Sequence, residues 1–274
     1  MQIIITTRGR IDQQITLQQL PRELLKQTVL VCPKREAPRL YRLYGDVVEI
    51  VVEPYPDMKL PEKREWIVQI WHDAGYTKIL LLDDDLVFAT RKSKRLPKST
   101  DEELIAAFQR IEDKLGPEFV HVGLGQRQFN NNEKPGWKIP GKMQCVLGYY
   151  LPVVVKEVRW DLVVLRSDYC ASLQLLLKGY ANAVWTETVV EQPRGFDAPG
   201  GCNIYRTPEM LNDEAEKFAN LFPNYVRVGK RKYGRREVTV YRKKALEHGQ
   251  QQRRQMETTD NACLNLLEAA AFNT

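Results

Sequence analysis

Short apolar runs alternate with amphipathic stretches from the first residues of the chain. Gln2–Thr6 is a β-branched run ending in Thr7-Arg8-Gly9-Arg10, which predicts a strand and then a tight turn. Leu17, Leu20, Leu24 and Leu25 share one face of a predicted helix over 17–27, although Pro21 stands near its start. Thr28–Cys32 reads as a second buried strand, Ala37–Tyr44 as a short helix and 47–52 as a third strand. Turn chemistry follows in Pro54-Tyr55-Pro56-Asp57. Over 61–74 a helix is predicted, with Pro61 in its first turn and Trp66, Ile67, Ile70, Trp71 and Ala74 on one face; Gly75 ends it. The run 78–82 is a fourth strand, almost wholly apolar, as suits the middle of a parallel sheet.

Beyond it, Ser99-Thr100-Asp101-Glu102 is a capping box opening a helix to about Leu115. A strand is predicted at 119–124, a long polar loop at 127–142, one or two strands within 143–156 and a helix over 168–178 with Gly179 past its end. Residues 183–191 read as a strand, 192–204 as a Gly- and Pro-rich loop, and Thr207-Pro208 as the start of a helix running to Leu221. Segments 227–228 and 237–241 can pair as a basic hairpin, with a loose helix at the end of the chain. Strands alternating with helices imply an α/β fold: a Rossmann-like, mostly parallel sheet flanked by helices, with right-handed crossovers. The expected organisation is one domain over 1–225 and a basic C-terminal extension over 226–274.

Charge sharpens that division. The chain has 274 residues, 41 Lys and Arg against 35 Asp and Glu, and a net charge of +6. Eleven of those bases and only two acids lie between Val226 and Arg254, so the rest carries a net −3. Such a block is a solvated face or the footprint of a polyanionic partner. Lys230, Arg231, Lys232, Arg235, Arg236, Arg242, Lys243 and Lys244 are the candidate nucleic-acid contacts. No apolar run approaches the ~20 residues of a membrane helix, and no signal peptide is visible. The five scattered cysteines show neither zinc spacing nor a disulfide framework, so a reducing compartment is the default.

The sharpest chemical feature is Leu80-Leu81-Leu82-Asp83-Asp84-Asp85. Ligands in such sheets sit at the carboxyl ends of strands. Three carboxylates there repel one another unless a cation is present. Alternate residues of an extended chain point the same way, so Asp83 and Asp85 can face one site. Hard ions such as Mg²⁺ and Mn²⁺ prefer carboxylate and phosphate oxygens, and one held there can bridge a nucleotide diphosphate. The plain alternative is an acidic turn capping the next segment.

An apolar strand ending in a DXD-type motif after three β-α units resembles a GT-A-fold glycosyltransferase. Met1 to Arg10, the helix with Arg64, Asp83 to Asp85, Ser167-Asp168-Tyr169 and Gly200-Gly201-Cys202 fall in an order that resembles the phage TET-associated glycosyltransferases. The resemblance covers roughly 1–225. It implies transfer of a hexose or pentose from a nucleotide-diphosphate sugar, a UDP-sugar first, to a hydroxymethylated pyrimidine in DNA. It also implies Mn²⁺ or Mg²⁺ and a place in the cytoplasm of a phage-infected bacterium.

Carried over to this sequence, the resemblance puts Thr6, Thr7, Arg8 and Arg10 beside the nucleotide, with the two arginines forking onto phosphate or a base edge. It puts Arg64 there as well, although its neighbours Lys63 and Glu65 suit a solvated helix face equally. Asp83 faces the ribose or donor sugar, Asp83 and Asp85 meet the metal, and Asp84 does either or caps. Asp168 is the candidate base toward the acceptor hydroxyl, a role the resemblance usually gives to one of an acidic pair. Here Ser167 replaces the first acid, and Asp is also a favoured helix N-cap. Asp161 is the reserve. His121, in a strand, reads as a core histidine. The alternatives are a protein or glycan acceptor, or a nucleic-acid-binding protein without catalysis; the last leaves Asp83 to Asp85 without a purpose.

Overall fold

The computed structural model of the protein describes residues 1–271 apart from 94, 128–132, 194–198 and 231–235, and of 259–271 the backbone alone. In chain order the elements begin β1 (Gln2–Thr6), α1 (Ile15–Gln19), α2 (Arg22–Leu25), β2 (Thr28–Cys32), α3 (Ala37–Tyr44), β3 (Glu49–Val52), α4 (Leu60–Asp73) and β4 (Lys78–Asp83). Then come β5 (Val87–Thr90), α5 (Asp101–Lys114), β6 (Phe119–Gln126), β7 (Trp137–Lys138), β8 (Val146–Tyr150), α6 (Leu151–Glu157), α7 (Ser167–Leu177) and β9 (Ala181–Glu191). A 3-10 turn (Gly201–Ile204), α8 (Pro208–Leu221), β10 (Val226–Lys230), β11 (Arg236–Val240) and α9 (Arg242–Ala271) follow.

The sheet runs β3-β2-β1-β4-β8-β6-β9-β5, with β7 paired to β9. β1 to β4, β6 and β9 share one direction; β5, β7 and β8 oppose it. Period-2 alternation divides the core into two layers. Ile3, Ile5, Leu30, Leu80 and Leu82 pack against Leu17, Leu24, Leu40, Leu104, Phe108 and Ile111 on one face. Ile4, Val29, Val31, Ile79 and Leu81 pack against Ile67, Trp71, Val154, Ala171 and Leu175 on the other. The fold is therefore the α/β/α sandwich that the alternating pattern predicts.

A third cluster joins the far side of α7 (Tyr169, Cys170, Leu173, Leu176) to Phe218 of α8, Val226 and Val240 of the β10–β11 hairpin and Ala245 and Leu246 of α9. Where α9 crosses α7, a Cβ on Gly249 would sit 2.3 Å from the Leu176 carbonyl oxygen and 2.5 Å from the Gly179 nitrogen, so only glycine fits the crossing. Among the described residues, no helix is long and apolar enough to cross a membrane.

Three local departures have clear causes. The helix expected over 17–27 is two pieces, because Leu20, ahead of Pro21, takes an extended conformation (φ −75°, ψ 132°). The strands expected within 143–156 are one strand followed by α6, which Pro152 opens in its first turn despite three successive valines. β5, not anticipated, pairs along β9 directly after the acidic run.

Candidate active site

The register of β1 on β4 sets Thr6 opposite Asp83, so the turns after both strands emerge side by side. Thr7 donates its hydroxyl to Asp84 Oδ2 at 2.5 Å and accepts from Gln14 Nε2 at 2.8 Å. Arg10 Nη1 lies 2.6 Å from Asp84 Oδ1 and 2.8 Å from Asp85 Oδ2. Gln192, the first residue after β9, donates Nε2 to Asp85 Oδ1 at 2.9 Å and to Asp83 Oδ2 at 3.3 Å. Asp83 and Asp85 thus converge on one point, as the alternation predicts, while Asp84 turns toward Thr7 and Arg10.

Burial pushes the Asp83 carboxyl up to about 7, helped by the Asp85 charge and opposed by Arg64. Asp84 is also raised by burial, with Arg10 and the Thr7 hydroxyl pulling the other way. Arg64 is only 5% exposed and donates to Ser167 Oγ at 2.8 Å. Burial works against its charge, but Tyr149, Asp168 and Asp83 outweigh it and raise its pKa. The solvated-face alternative for Arg64 is therefore excluded.

These groups line a cavity of about 550 Å³, together with Thr6, Thr7, Arg8, Lys63 and Asp168. Arg8 lies in its wall, 3.7 Å from the buried Glu53 carboxylate just past β3. Lys63 pairs with the same carboxylate, so two cations share one anion at this end. Arg10, expected beside the nucleotide phosphates, instead neutralises Asp84 and Asp85, the nearest concentration of opposite charge. The loop after β9 closes over it: Arg10 Nε donates to the Pro199 carbonyl at 2.9 Å, and Gly201 N–H donates to Arg8 O at 2.8 Å. Gly200 has φ +87°, and a Cβ there would lie 2.7 Å from Arg10 Cγ, which explains the glycine at that position.

At the opposite end, α7 starts at Ser167, after Arg166 in a left-handed conformation (φ 65°). Asp168 is the second residue of the helix and makes no side-chain cap, so the N-cap explanation for it fails. It is half-buried and lines the cavity. Beside it, the Tyr169 ring has Lys142 Nζ and the Arg242 guanidinium each 5.5 Å from its centre. Arg166 donates to the Leu211 and Arg236 carbonyls at 3.0 and 3.3 Å. Asp161 is not brought here. It is exposed, in the loop before α7, and pairs with Arg159 at 2.9 Å.

The basic extension divides. Lys230, Lys243 and Lys244 are exposed, while Arg236 pairs with Glu216 at 2.9 Å and lines the cavity beside Val238. Arg242 turns inward onto Tyr169. Arg231, Lys232 and Arg235 lie outside the described residues. His121 is in the core, stacked on Tyr149 with Nδ1 2.9 Å from Gly148 O.

Sequence reasoning missed Gln192, Arg166, Lys63 and Glu53. Gln192 and Glu53 had a usable signal: each immediately follows a strand on the ligand side of the sheet, where Asp83 also lies. Nothing local marks Arg166, whose role depends on a carbonyl 70 residues away.

Among the described residues, no group of three or more His, Cys, Asp or Glu side chains forms a metal cage. Two carboxylates meeting on one point do suit Mg²⁺ or Mn²⁺, which commonly takes one or two carboxylates and completes its shell with water and substrate phosphate. The donor set therefore fits such an ion.

A family model described as TET-Associated Glycosyltransferase matches residues 1–201. Among solved structures, a mannose-1-phosphate geranyltransferase from Thermus thermophilus is similar at 13% identity and a TM-score of 0.46, over 76% of this chain and 80% of that one. A putative nucleotide-diphospho-sugar transferase from Desulfovibrio desulfuricans is similar at 12% identity and a TM-score of 0.38, over 67% and 78%. A 4-diphosphocytidyl-2C-methyl-D-erythritolsynthase from Anaerococcus prevotii is similar at 13% identity and a TM-score of 0.41, over 80% and 95%. No curated protein matches the sequence.

Proposed function

The chain belongs to the TET-associated glycosyltransferase family, and from that premise we propose that this nucleotide-sugar glycosyltransferase takes a UDP-sugar as donor and a hydroxymethylated pyrimidine in DNA as acceptor. The observation that carries the reading is the cavity itself. Its lining brings the paired carboxylates Asp83 and Asp85 together with Asp168, and buried Arg64 interacts with Asp83 and Asp168.

In this reading Thr6, Arg8 and Lys63 face the nucleotide, with Glu53 holding the two cations in place. Asp83 and Asp85 hold Mn²⁺ or Mg²⁺, which when bound supplies positive charge to the diphosphate leaving group. Arg10 keeps Asp84 and Asp85 in position and anchors the loop at Gly200. The acceptor hydroxyl oxygen attacks the anomeric carbon, the bond from that carbon to the diphosphate breaks, and the hydroxyl proton passes to Asp168. Arg64 bridges the two ends through Ser167 and stabilises negative charge at both. The basic extension supports a polyanionic acceptor, because the remaining chain is net negative. The setting that follows is the cytoplasm of a phage-infected bacterium.

The test supplies radiolabelled nucleotide sugars with hydroxymethylated or unmodified DNA, with and without Mn²⁺. Label is expected only in hydroxymethylated DNA with Mn²⁺ present. Equal labelling under chelator removes the metal from the reading, and transfer to a protein or glycan with none to DNA overturns the acceptor.

A further inference from the structure

Two guanidinium groups in the field of Asp168, Arg166 in the cavity lining and Arg242 over the Tyr169 ring, share with Arg64 the lack of a carboxylate ion pair among the described residues. Arg10 has Asp84 and Asp85, Lys63 has Glu53, and Arg236 has Glu216. Arg166 and Arg242 are half-buried, and among the described residues neither contacts a carboxylate. Arg166 is held by two backbone carbonyls, which fix its position without neutralising it. Arg242 lies over the Tyr169 ring, with Lys142 at the same ring. Burial lowers the pKa of both arginines; Asp168 and Tyr169, and for Arg166 also Glu214, only partly offset that cost. A cation removed from water without a counter-charge is expensive. Two of them, one pinned by carbonyls and one set on an aromatic face, make a seat for an anion.

The two arginines come from separate parts of the chain. Arg166 precedes α7 and Arg242 opens α9, so the seat exists only because the extension packs onto α7. In the proposed reading the donor diphosphate has its own cations, Arg8 and Lys63, so an anion at Arg166 and Arg242 belongs with the acceptor.

We propose that Arg166 and Arg242 seat one backbone phosphate of the acceptor strand, directly beside Asp168. The proposal rests on the reading that the acceptor is DNA. It moves the decisive phosphate contact from the exposed lysines of the extension to Arg166, in the cavity lining, and Arg242, over the Tyr169 ring. A phosphate held beside Asp168 brings its own nucleotide to that carboxylate, so the target is single-stranded or swung out of the duplex when it reacts. The exposed lysines then add only the salt-dependent attraction common to any DNA.

The experiment uses the full chain and a short fluorescent single-stranded oligonucleotide with one 5-hydroxymethylcytosine, with or without methylphosphonates at the two phosphates flanking it. Arg242→Gln is expected to weaken binding of the normal oligonucleotide about 10- to 100-fold, the range for a hydrogen bond to a charged group. Methylphosphonates should weaken binding to the wild type similarly and add little to Arg242→Gln, because both remove the same interaction. Arg242→Lys should recover part of the loss. Binding of a nucleoside diphosphate should be unchanged, which also shows that the variant is folded. Unchanged oligonucleotide affinity in Arg242→Gln, or equal methylphosphonate penalties in both proteins, overturns the seat. Loss of nucleoside diphosphate affinity alone assigns the anion to the donor and also overturns it. Arg242-dependent binding without glycosyl transfer would sink the proposed activity and keep the seat; transfer that ignores Arg242 would do the reverse.

Discussion

Beside β1 and β4, Arg10 binds Asp84 and Asp85 while Arg8 and Lys63 share Glu53; beside α7, Asp168, Arg166 and Arg242 lie in one another's field without a direct ion pair among the described residues. The first end holds its charges in mutual contact, so its geometry is set before any substrate arrives. The second has fixed positions but unsatisfied charge. A buried pair is costly to break, and a buried lone charge is costly to keep. Substitutions among the first group should therefore cost stability, and those among the second should show their losses in binding and turnover.

The comparison breaks first at the metal carboxylates. Asp85→Asn should abolish transfer and Mn²⁺-dependent donor binding while leaving a folded protein, because Arg10 keeps Asp84 as its partner. Calorimetric Mn²⁺ titration and a turnover assay check this, and full activity under chelator would end the assignment.

Next comes Asp168→Asn. If the carboxylate takes the acceptor proton, kcat should fall about 10²- to 10⁴-fold with donor affinity and melting temperature nearly unchanged. A lower melting temperature with unchanged kcat would make Asp168 a structural residue.

The core behind the site supplies a pH test. Burial, aided by Arg64, holds His121 down to about 4, while the Gly148 carbonyl opposes them. The unfolded chain binds a proton near pH 6.5 and the folded chain does not until near 4, so stability is full above 6.5 and drains away between those values. The loss is about 3 kcal/mol, from roughly 1.4 kcal/mol per pH unit. Urea melts from pH 7 to 4 should show that decline, and His121→Gln should flatten it.

The smallest effect belongs to the exposed lysines. Replacing Lys230 and Lys243 by Ala should reduce the log–log salt slope of duplex binding by about 0.9 for each phosphate that is no longer neutralised. Donor binding should not move. An unchanged slope would make them solubilising charges, as lysines at exposed strand edges often are.

Much of this architecture was legible because it rests on local pattern. Short apolar runs marked β1, β2 and β4, helical periodicity marked α4, cap residues marked α5 and α8, and an apolar strand running into Asp83 marked the ligand side of the sheet. The failures are equally physical. Pro21 outweighed the leucine periodicity around it. The valines of α6 look like a strand in isolation and are helical because the layer formed by α4 and α7 receives them. Arg64 read equally as a nucleotide contact and a solvated charge, and Arg242 as one of a basic run facing nucleic acid, because nothing in a linear sequence distinguishes an inward arginine from an outward one. Gln192 meets Asp83 and Asp85 only through the folded sheet.

The crossing at Gly249 gives the molecule a lever. Arg242 lies seven residues earlier on the same helix, about 10 Å along its axis. A single methyl group at Gly249 has nowhere to go against Leu176 and Gly179, so α9 must lift or slide, and Arg242 travels with it. The placement of Arg242 against Tyr169 thus depends on a glycine that itself lies outside the cavity.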